Sequence, residues 1–239
     1  DHHNQDSEDY TKTRVSKLQI GLPERDSHGF AATRLMKEII GSEESIVIDL
    51  GGNATTSALI EEFGSKGISS FIDLIIVPVS ASGRDVMNAE STIDMIRDSF
   101  SDFNAPILLA YSRAPSLDDE RIRFEAPDIF ELTESKGVLG PLVIPQKGCF
   151  ATSRYLLKTA WEVSRDAEAM IKDIQESQIQ AKKDRDINTG ASLVRARSIV
   201  EESASLTPFF EAAFAQLDAI LPLSSPEKQG AGRKADKQA

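Results

Sequence analysis

The run from Ile72 to Val79 (IDLIIVPV) constrains the fold more than any other part of the sequence. It is nearly continuous in apolar residues and is far too short to span a membrane. A strand that is apolar at successive positions is typical of a parallel sheet, in which helices cover both faces. We therefore expect a buried strand of a parallel sheet at this position.

Further short apolar runs recur along the first two thirds of the chain, separated by segments with helical periodicity. Predicted strands cover Val15–Ile20, Ile46–Leu50, Ile72–Val79, Pro106–Ala110 and Val138–Ile144, and predicted helices cover Phe30–Ile40, Thr55–Phe63, Asp85–Phe100 and Pro127–Ser135. Strands that alternate with helices in this way indicate an α/β fold with a doubly wound, mostly parallel sheet flanked by helices. We also expect Ile72–Val79 to lie in the interior of that sheet.

The C-terminal third changes character. No strand pattern occurs between Thr152 and Lys183, and two more helices are predicted at Asn188–Ala204 and Pro208–Leu221. We divide the chain into a flexible or truncated N-terminal segment (1–14), an α/β domain with C-terminal helices (15–222) and a disordered tail (223–239) that is rich in Gly, Ser and Lys. Because the chain begins with Asp1 rather than Met, we expect it to be processed, truncated or partial.

Composition limits the classes of function. The 239 residues carry a formal net charge of −11 and are 40% hydrophobic and 27% charged. This charge argues against a dominant, sequence-independent DNA-binding surface, although it leaves room for a local basic patch. The sequence has neither a signal-peptide pattern nor a membrane span, and the single cysteine, Cys149, cannot form an internal disulfide. We therefore expect a soluble cytoplasmic protein that does not bind membranes.

The segment Ser45–Gly52 (SIVIDLGG) is the first candidate for chemistry. A predicted strand ends at Asp49, and Gly51 and Gly52 follow it. A carboxylate at a strand end can hold hydrated Mg²⁺, which keeps several waters and needs few protein ligands, while glycines let the backbone approach a phosphate. The plainer interpretation is a strand that ends in a turn, where Asp and Gly are common for local reasons.

Three later strands also end in polar or turn-forming residues. A small polar loop and Asp85 follow the first of them, Ser112 and Arg113 end the second, and Pro145 ends the third. In open α/β sheets, ligands bind beyond the carboxyl ends of the strands. We therefore expect Asp49, Ser112, Arg113 and Pro145 to line one crevice.

Four motifs in this order resemble the ParA/MinD family of deviant P-loop ATPases over roughly residues 45–165. They are IVIDLGG, IDLIIVPVSASGRDVMNAESTIDMI, ILLAYSRA and PLVIPQKG. The resemblance implies that Asp49 is the Walker B aspartate and magnesium ligand, and that Ser112, Arg113 and Pro145 contact the nucleotide base. The opening DHHNQ is similar to the family's D-P-Q-G-N segment, which implies a catalytic-site role for Asp1.

The same resemblance implies an ATPase that uses ATP and Mg²⁺, forms an ATP-dependent homodimer and acts with a partition or adaptor protein. The family commonly binds DNA non-specifically through basic residues near its C-terminus. In this sequence the first candidates for that contact are Lys182, Lys183, Arg195 and Arg197. A solvated helix face is the simpler explanation for the same four residues.

The phosphate-binding loop of the family is missing, because no G-x-x-x-x-G-K-[ST] segment occurs among the 239 residues. Truncation before Asp1 would explain this, and the chain as printed should then bind ATP poorly. Two alternatives remain open. One is a non-catalytic α/β adaptor. The other is an actin-like partition ATPase, since VIDLGGNATTSALI also resembles that family's phosphate loop, which joins two strands.

Overall fold

The computed structural model describes residues 36–42, 46–50, 54–100 and 104–221. Three parallel strands form the sheet in the order β1-β2-β3, with bounds of Ile75–Val79, Ile107–Ala114 and Leu139–Pro145. The helices are α1 (Ala54–Ser65), α2 (Gly83–Ser99), α3 (Asp119–Glu125), α4 (Pro127–Lys136), α5 (Cys149–Thr152), α6 (Ala160–Arg165), α7 (Ala167–Asp184), α8 (Ile187–Ser205) and α9 (Thr207–Ile220). Two 3₁₀ turns occupy Ile68–Phe71 and Ser153–Leu156, and residues 36–41 are also helical. The predicted fold class, an α/β protein with a helical C-terminal region, is confirmed.

Helices cover both faces of the middle strand. On one face of β2, Leu109 and Tyr111 are almost fully buried in the main core together with apolar residues of α1, α2 and α4. On the opposite face, Leu108 and Ala110 pack with Leu217 and other apolar residues of α9. Because successive side chains of a strand point to opposite faces, this two-sided burial accounts for the unbroken apolar run of β2.

The first strand differs from its prediction, because β1 lies at the edge of the described sheet. Its Val77 and Val79 are buried, whereas Pro78 is exposed and Ile76 is 46% exposed. The amide of Ile75 donates to the carbonyl of Pro106, so alternate residues of β1 pair with β2. Ile76 and Pro78 therefore direct their backbone groups to the open edge, where a proline, which has no N–H group, is tolerated.

The predicted strand at Ile46–Leu50 is wrong in this structure. The segment has no strand pairing, and Val47 is 93% exposed. Only Leu50 packs against the main core. A short β-branched run becomes a strand by pairing with a neighbour, and the open edge of β1 does not pair with this segment. The predicted strand Val15–Ile20, most of the helix Phe30–Ile40, and the segments 1–14 and 223–239 lie outside the described residues.

Among the C-terminal helices, α7 and α8 form a helical hairpin, and α9 covers one face of the sheet. Helices α7 and α8 pack against each other, and Val163 and Val200 are fully buried where α6 joins them.

Asp186 caps the start of α8, because its carboxylate accepts hydrogen bonds from the backbone N–H of Thr189 at 3.0 Å and from the hydroxyl of Thr189 at 2.6 Å. The hydroxyl bond is the main cause, and the backbone bond the second, of a pKa for Asp186 below its ordinary value of 3.8.

This cap predicts a pH-dependent contribution to folding. A carboxyl whose pKa is depressed in the folded state stabilises the fold above its unfolded pKa, and that stabilisation is lost as the pH falls through the depressed value. Urea unfolding of the chain should therefore show an acid-induced loss of stability below about pH 4 that is smaller in Asp186→Asn, because asparagine also caps helices but does not titrate. Identical pH profiles for the two proteins would contradict this role of Asp186.

Candidate functional site

The carboxyl ends of β1, β2 and β3 lie at one edge of the sheet, because the three strands run parallel. Val79 of β1 lies beside Tyr111 of β2, which lies beside Val143 of β3. The hydroxyl of Ser112 donates to the backbone carbonyl of Val79 at 3.1 Å and so joins the ends of the first two strands. The ends of these three strands are therefore neighbours, while the predicted crevice of Asp49, Ser112, Arg113 and Pro145 stays a prediction.

Arg113 sits in a bulge at this edge. Tyr111 pairs with Val143 and Ala114 pairs with Pro145, so two residues of β2 face one residue of β3. Arg113 has a φ of 60°, a conformation that costs a residue with a β-carbon roughly 1 kcal/mol. Bulges re-aim side chains and are common next to ligand sites. The bulge leaves the guanidinium-bearing side chain exposed at the end of the sheet.

The loop between β1 and α2 places a helix amino terminus at the same edge. The hydroxyl of Ser82 accepts a hydrogen bond from the backbone N–H of Asp85 at 3.2 Å, which caps α2. Ser80, directly after β1, donates its hydroxyl to the carboxylate of Asp85. The two serines therefore fix the first turn of α2, whose N–H groups favour negative charge on a ligand.

The loop between β3 and α5 is held at both ends. Pro145 is buried, and the next residue, Gln146, donates its backbone N–H to the carbonyl of Ala114 at 2.8 Å. Two residues later, the backbone N–H of Gly148 donates to Oε1 of Glu202 at 3.1 Å. Lys147 lies between these two fixed points and is exposed. This brings Pro145 beside Ala114 and places a second cationic side chain at the carboxyl edge.

Asp49 does not lie at a strand end, because Ile46–Leu50 forms no strand. Its carboxylate is exposed to solvent and therefore accessible to an ion. Asp1, Gly51 and Gly52 lie outside the described residues. The geometric evidence thus groups Ser112, Arg113 and Pro145, while the contributions of Asp49, Asp1, Gly51 and Gly52 stay predictions.

The grouped residues have the chemistry of an anion-binding edge. The side chains of Arg113 and Lys147 offer only hydrogen-bond donors. The first turn of α2 offers its foremost backbone N–H groups, beside the carboxylate of Asp85, which accepts the hydroxyl of Ser80. Among residues 36–42, 46–50, 54–100 and 104–221, no three His, Cys, Asp or Glu residues are grouped as they would be to hold a metal ion. Mg²⁺ is usually bound through one or two carboxylates, its waters and substrate phosphates, so an exposed carboxylate such as that of Asp49 fits its requirements.

The predicted basic patch is divided between the last turn of α7, which carries Lys182 and Lys183, and α8, which carries Arg195 and Arg197. Arg197 is paired with Glu201 at 2.7 Å. The guanidinium of Arg195 stacks 4.0 Å from the ring centre of Tyr155, and Arg195, followed by Arg154, lowers the pKa of that tyrosine. An ion pair at the surface is weak, so Arg197 remains able to contact other anions.

Two features of the site were not visible in the sequence. The left-handed backbone of Arg113 has no sequence signal, because arginine is not a residue that favours it. Glu202 is 54 positions from Gly148, the residue whose N–H it accepts, and nothing in the local pattern marks the pair. The adjacent apolar residues Ile199 and Val200, both buried, are the local signal that the part of α8 next to Glu202 packs against the protein.

No protein-family model matches the chain, and the curated proteins contain no significant match to it. In the described part of the chain, every helix is too short or too polar to cross a bilayer. The fold and the candidate site define an α/β protein with a parallel sheet. The edge of the sheet where the strands end is polar and carries the cationic side chains of Arg113 and Lys147.

Proposed function

We propose that the chain is part of a ParA/MinD-type ATPase that positions or segregates a cargo, such as a plasmid or chromosome, in the cytoplasm. The observation that carries the proposal is the carboxyl edge of the sheet. Three strand ends that resemble this family's motifs in sequence order, Ser80–Gly83, Ser112–Arg113 and Pro145, are also neighbours in space. Strand-end loops of a parallel sheet are where nucleotides bind in α/β proteins.

Each element of the edge has a task under this proposal. Arg113 and Pro145 contact the base and hold the nucleotide in position. The amino terminus of α2 offers N–H groups to the anionic part of the ligand. Asp49 holds Mg²⁺ through water, and Asp1, Gly51 and Gly52 complete the phosphate side. Bound Mg²⁺ would neutralise the charge that develops on the phosphates during hydrolysis.

The proposal includes assembly. ATP binding favours a homodimer with nucleotide between the subunits, hydrolysis resets it, and a partition or adaptor protein stimulates the cycle. Non-specific DNA contact would use Lys182, Lys183, Arg195 and Arg197, of which all but Arg197 are exposed. The acidic net charge of −11 means that such contact must be local.

One alternative is a non-catalytic adaptor, which would use the α/β scaffold for protein contacts and would need no G-x-x-x-x-G-K-[ST] segment. The actin-like alternative is less suited to the structure. Its phosphate loop joins two strands, whereas the residues after Gly52 form the helix Ala54–Ser65.

A nucleotide-binding experiment tests the proposal. In a form of the protein extended by a K-G-G-x-G-K-[ST] segment before Asp1, Arg113→Ala should weaken MgATP binding by about tenfold, because it removes a charged contact to the ligand. Isothermal calorimetry measures the affinity. Arg97→Ala is the matched control. Arg97 lies near the far end of α2, roughly 20 Å along the helix from its first turn, and donates to the backbone carbonyl of Lys136.

The 239-residue chain itself supplies the second arm. It should bind MgATP weakly, since it has no phosphate-binding lysine. Tight magnesium-dependent binding by this chain would show that the site does not need that lysine. Failure of the extended protein to bind ATP would favour the adaptor instead. Equal loss of affinity in Arg97→Ala and Arg113→Ala would remove Arg113 from the site.

A further inference from the structure

Glu202 of α8 reaches the candidate site from the C-terminal helices. Its Oε1 accepts the backbone N–H of Gly148 at 3.1 Å, directly before the first residue of α5. The next residue on α8, Ser203, is fully buried, as is Cys149, which begins α5. Burial is the main cause, and the Glu202 carboxylate the second, of a raised pKa for the Cys149 thiol. Glu202 therefore lies close against the start of α5.

The bond to Glu202 is the contact that ties this loop to α8, while backbone bonds tie it to β2 and α5. Gln146 donates to the carbonyl of Ala114, next to Arg113, and Gly148 is bound to Glu202. Lys147, exposed between them, has its backbone fixed on both sides. A carboxylate that accepts a backbone N–H forms a charge-assisted bond, which is stronger than a neutral one. Glycine also suits the position, because a β-carbon on Gly148 would lie only 3.2 Å from Oε2 of Glu202.

We propose that Glu202 is a positioning residue, which holds the Gln146–Gly148 loop at the carboxyl edge and thereby couples helix α8 to ligand binding. The coupling rests on the proposed function, because it assumes that the edge binds a nucleotide. Without the carboxylate, the Gly148 N–H loses its partner, and the loop is held on this side only through the carbonyl of Gly148, which accepts from Ala151 and Thr152 of α5. The side chain of Lys147 would then sample positions away from the ligand, which weakens affinity without any lost contact between Glu202 and the ligand.

Hydrogen exchange tests the contact independently of any nucleotide. In the 239-residue chain, Glu202→Ala should speed exchange of the Gly148 amide by about tenfold or more, the effect of losing one hydrogen bond to a charged group. Glu202→Gln should retain most of the protection, because its amide oxygen can still accept the bond. Glu201→Ala is the matched control, since Glu201 is adjacent on α8 and pairs with Arg197 instead. Unchanged Gly148 exchange in Glu202→Ala would overturn the proposal.

Calorimetry with MgATP on the extended protein tests the coupling. Glu202→Ala should weaken affinity by about tenfold, whereas Glu202→Gln and Glu201→Ala should remain near the parent protein. Similar losses for Gln and Ala at position 202, or a faster-exchanging Gly148 with unaltered affinity, would show that Glu202 does not position the site. If the parent protein binds no ATP, the proposed function and the coupling fail together, while the exchange result still reports on the contact.

Discussion

Replacing Asp49 with alanine, in a form of the protein that carries the phosphate-binding loop, should lower its rate of ATP hydrolysis by roughly a hundredfold. This is the upper range for losing a group that orients a catalytic metal and its waters. Phosphoryl transfer of this kind depends mainly on positioning and on charge stabilisation around the γ-phosphate. Without the carboxylate, the ion would be held by the nucleotide and the loop alone, and its charge would be less well placed.

The fold should be unaffected by the same change. Asp49 is exposed and outside the sheet, and substitutions at such positions alter stability by about 0.5 kcal/mol or less. Asp73→Ala is the matched control, because Asp73 is also exposed but lies just before the amino end of β1, on the opposite side of the sheet from the site. The rate is measured by phosphate release and the stability by thermal unfolding. Undiminished hydrolysis in Asp49→Ala would remove this residue from the mechanism.

The parallel sheet could be predicted because its middle strand is buried on both faces. Burial of every residue from Ile107 to Tyr111 produces an unbroken apolar run, which the sequence displays directly. The same pattern at Ile72–Val79 gave the correct strand but the wrong place in the sheet. Apolar content shows that a segment can be buried. It does not show which neighbour covers it, and in the described chain β1 has a neighbour on one side only.

One local prediction failed, and one helix was not predicted. Ile46–Leu50 has the composition of a strand, but strand formation depends on pairing with a partner elsewhere in the chain. Helix α3, Asp119–Glu125, was missed because seven residues show little more than one helical repeat. Its start is nevertheless marked by Asp118, whose side chain accepts the N–H of Arg121 at 2.9 Å.

The site was predictable to the extent that it follows from parallel strands. Ser112, Arg113 and Pro145 end neighbouring strands, and parallel strands bring their ends to one edge. The bulge at Arg113 and the bond from Gly148 to Glu202 depend on the packed structure. They arise from pairing register and from the docking of α8, which are long-range properties.

Close packing between two helices gives the largest expected effect on stability. Gly64 lies in α1, and a β-carbon there would come within 2.0 Å of the carbonyl oxygen of Ser99, at the end of α2. That oxygen belongs to the backbone, so relief requires the helices to separate. Gly64→Ala should therefore destabilise the fold by about 3 kcal/mol, at the upper end of the range for overpacking.

Thermal unfolding should show this as a fall in Tm of roughly 6–12 °C for a domain of this size. Gly190→Ala is the matched control, because Gly190 lies inside helix α8 and no other group comes within 4 Å of the position its β-carbon would take. It should gain about 0.5–1 kcal/mol, since alanine favours a helix interior over glycine. The expected changes in stability have opposite signs because the surroundings of the two glycines differ, since both substitutions replace glycine with alanine inside a helix. If Gly64→Ala were as stable as the parent protein, α1 and α2 could not be packed as closely at Ser99 as the structure has them.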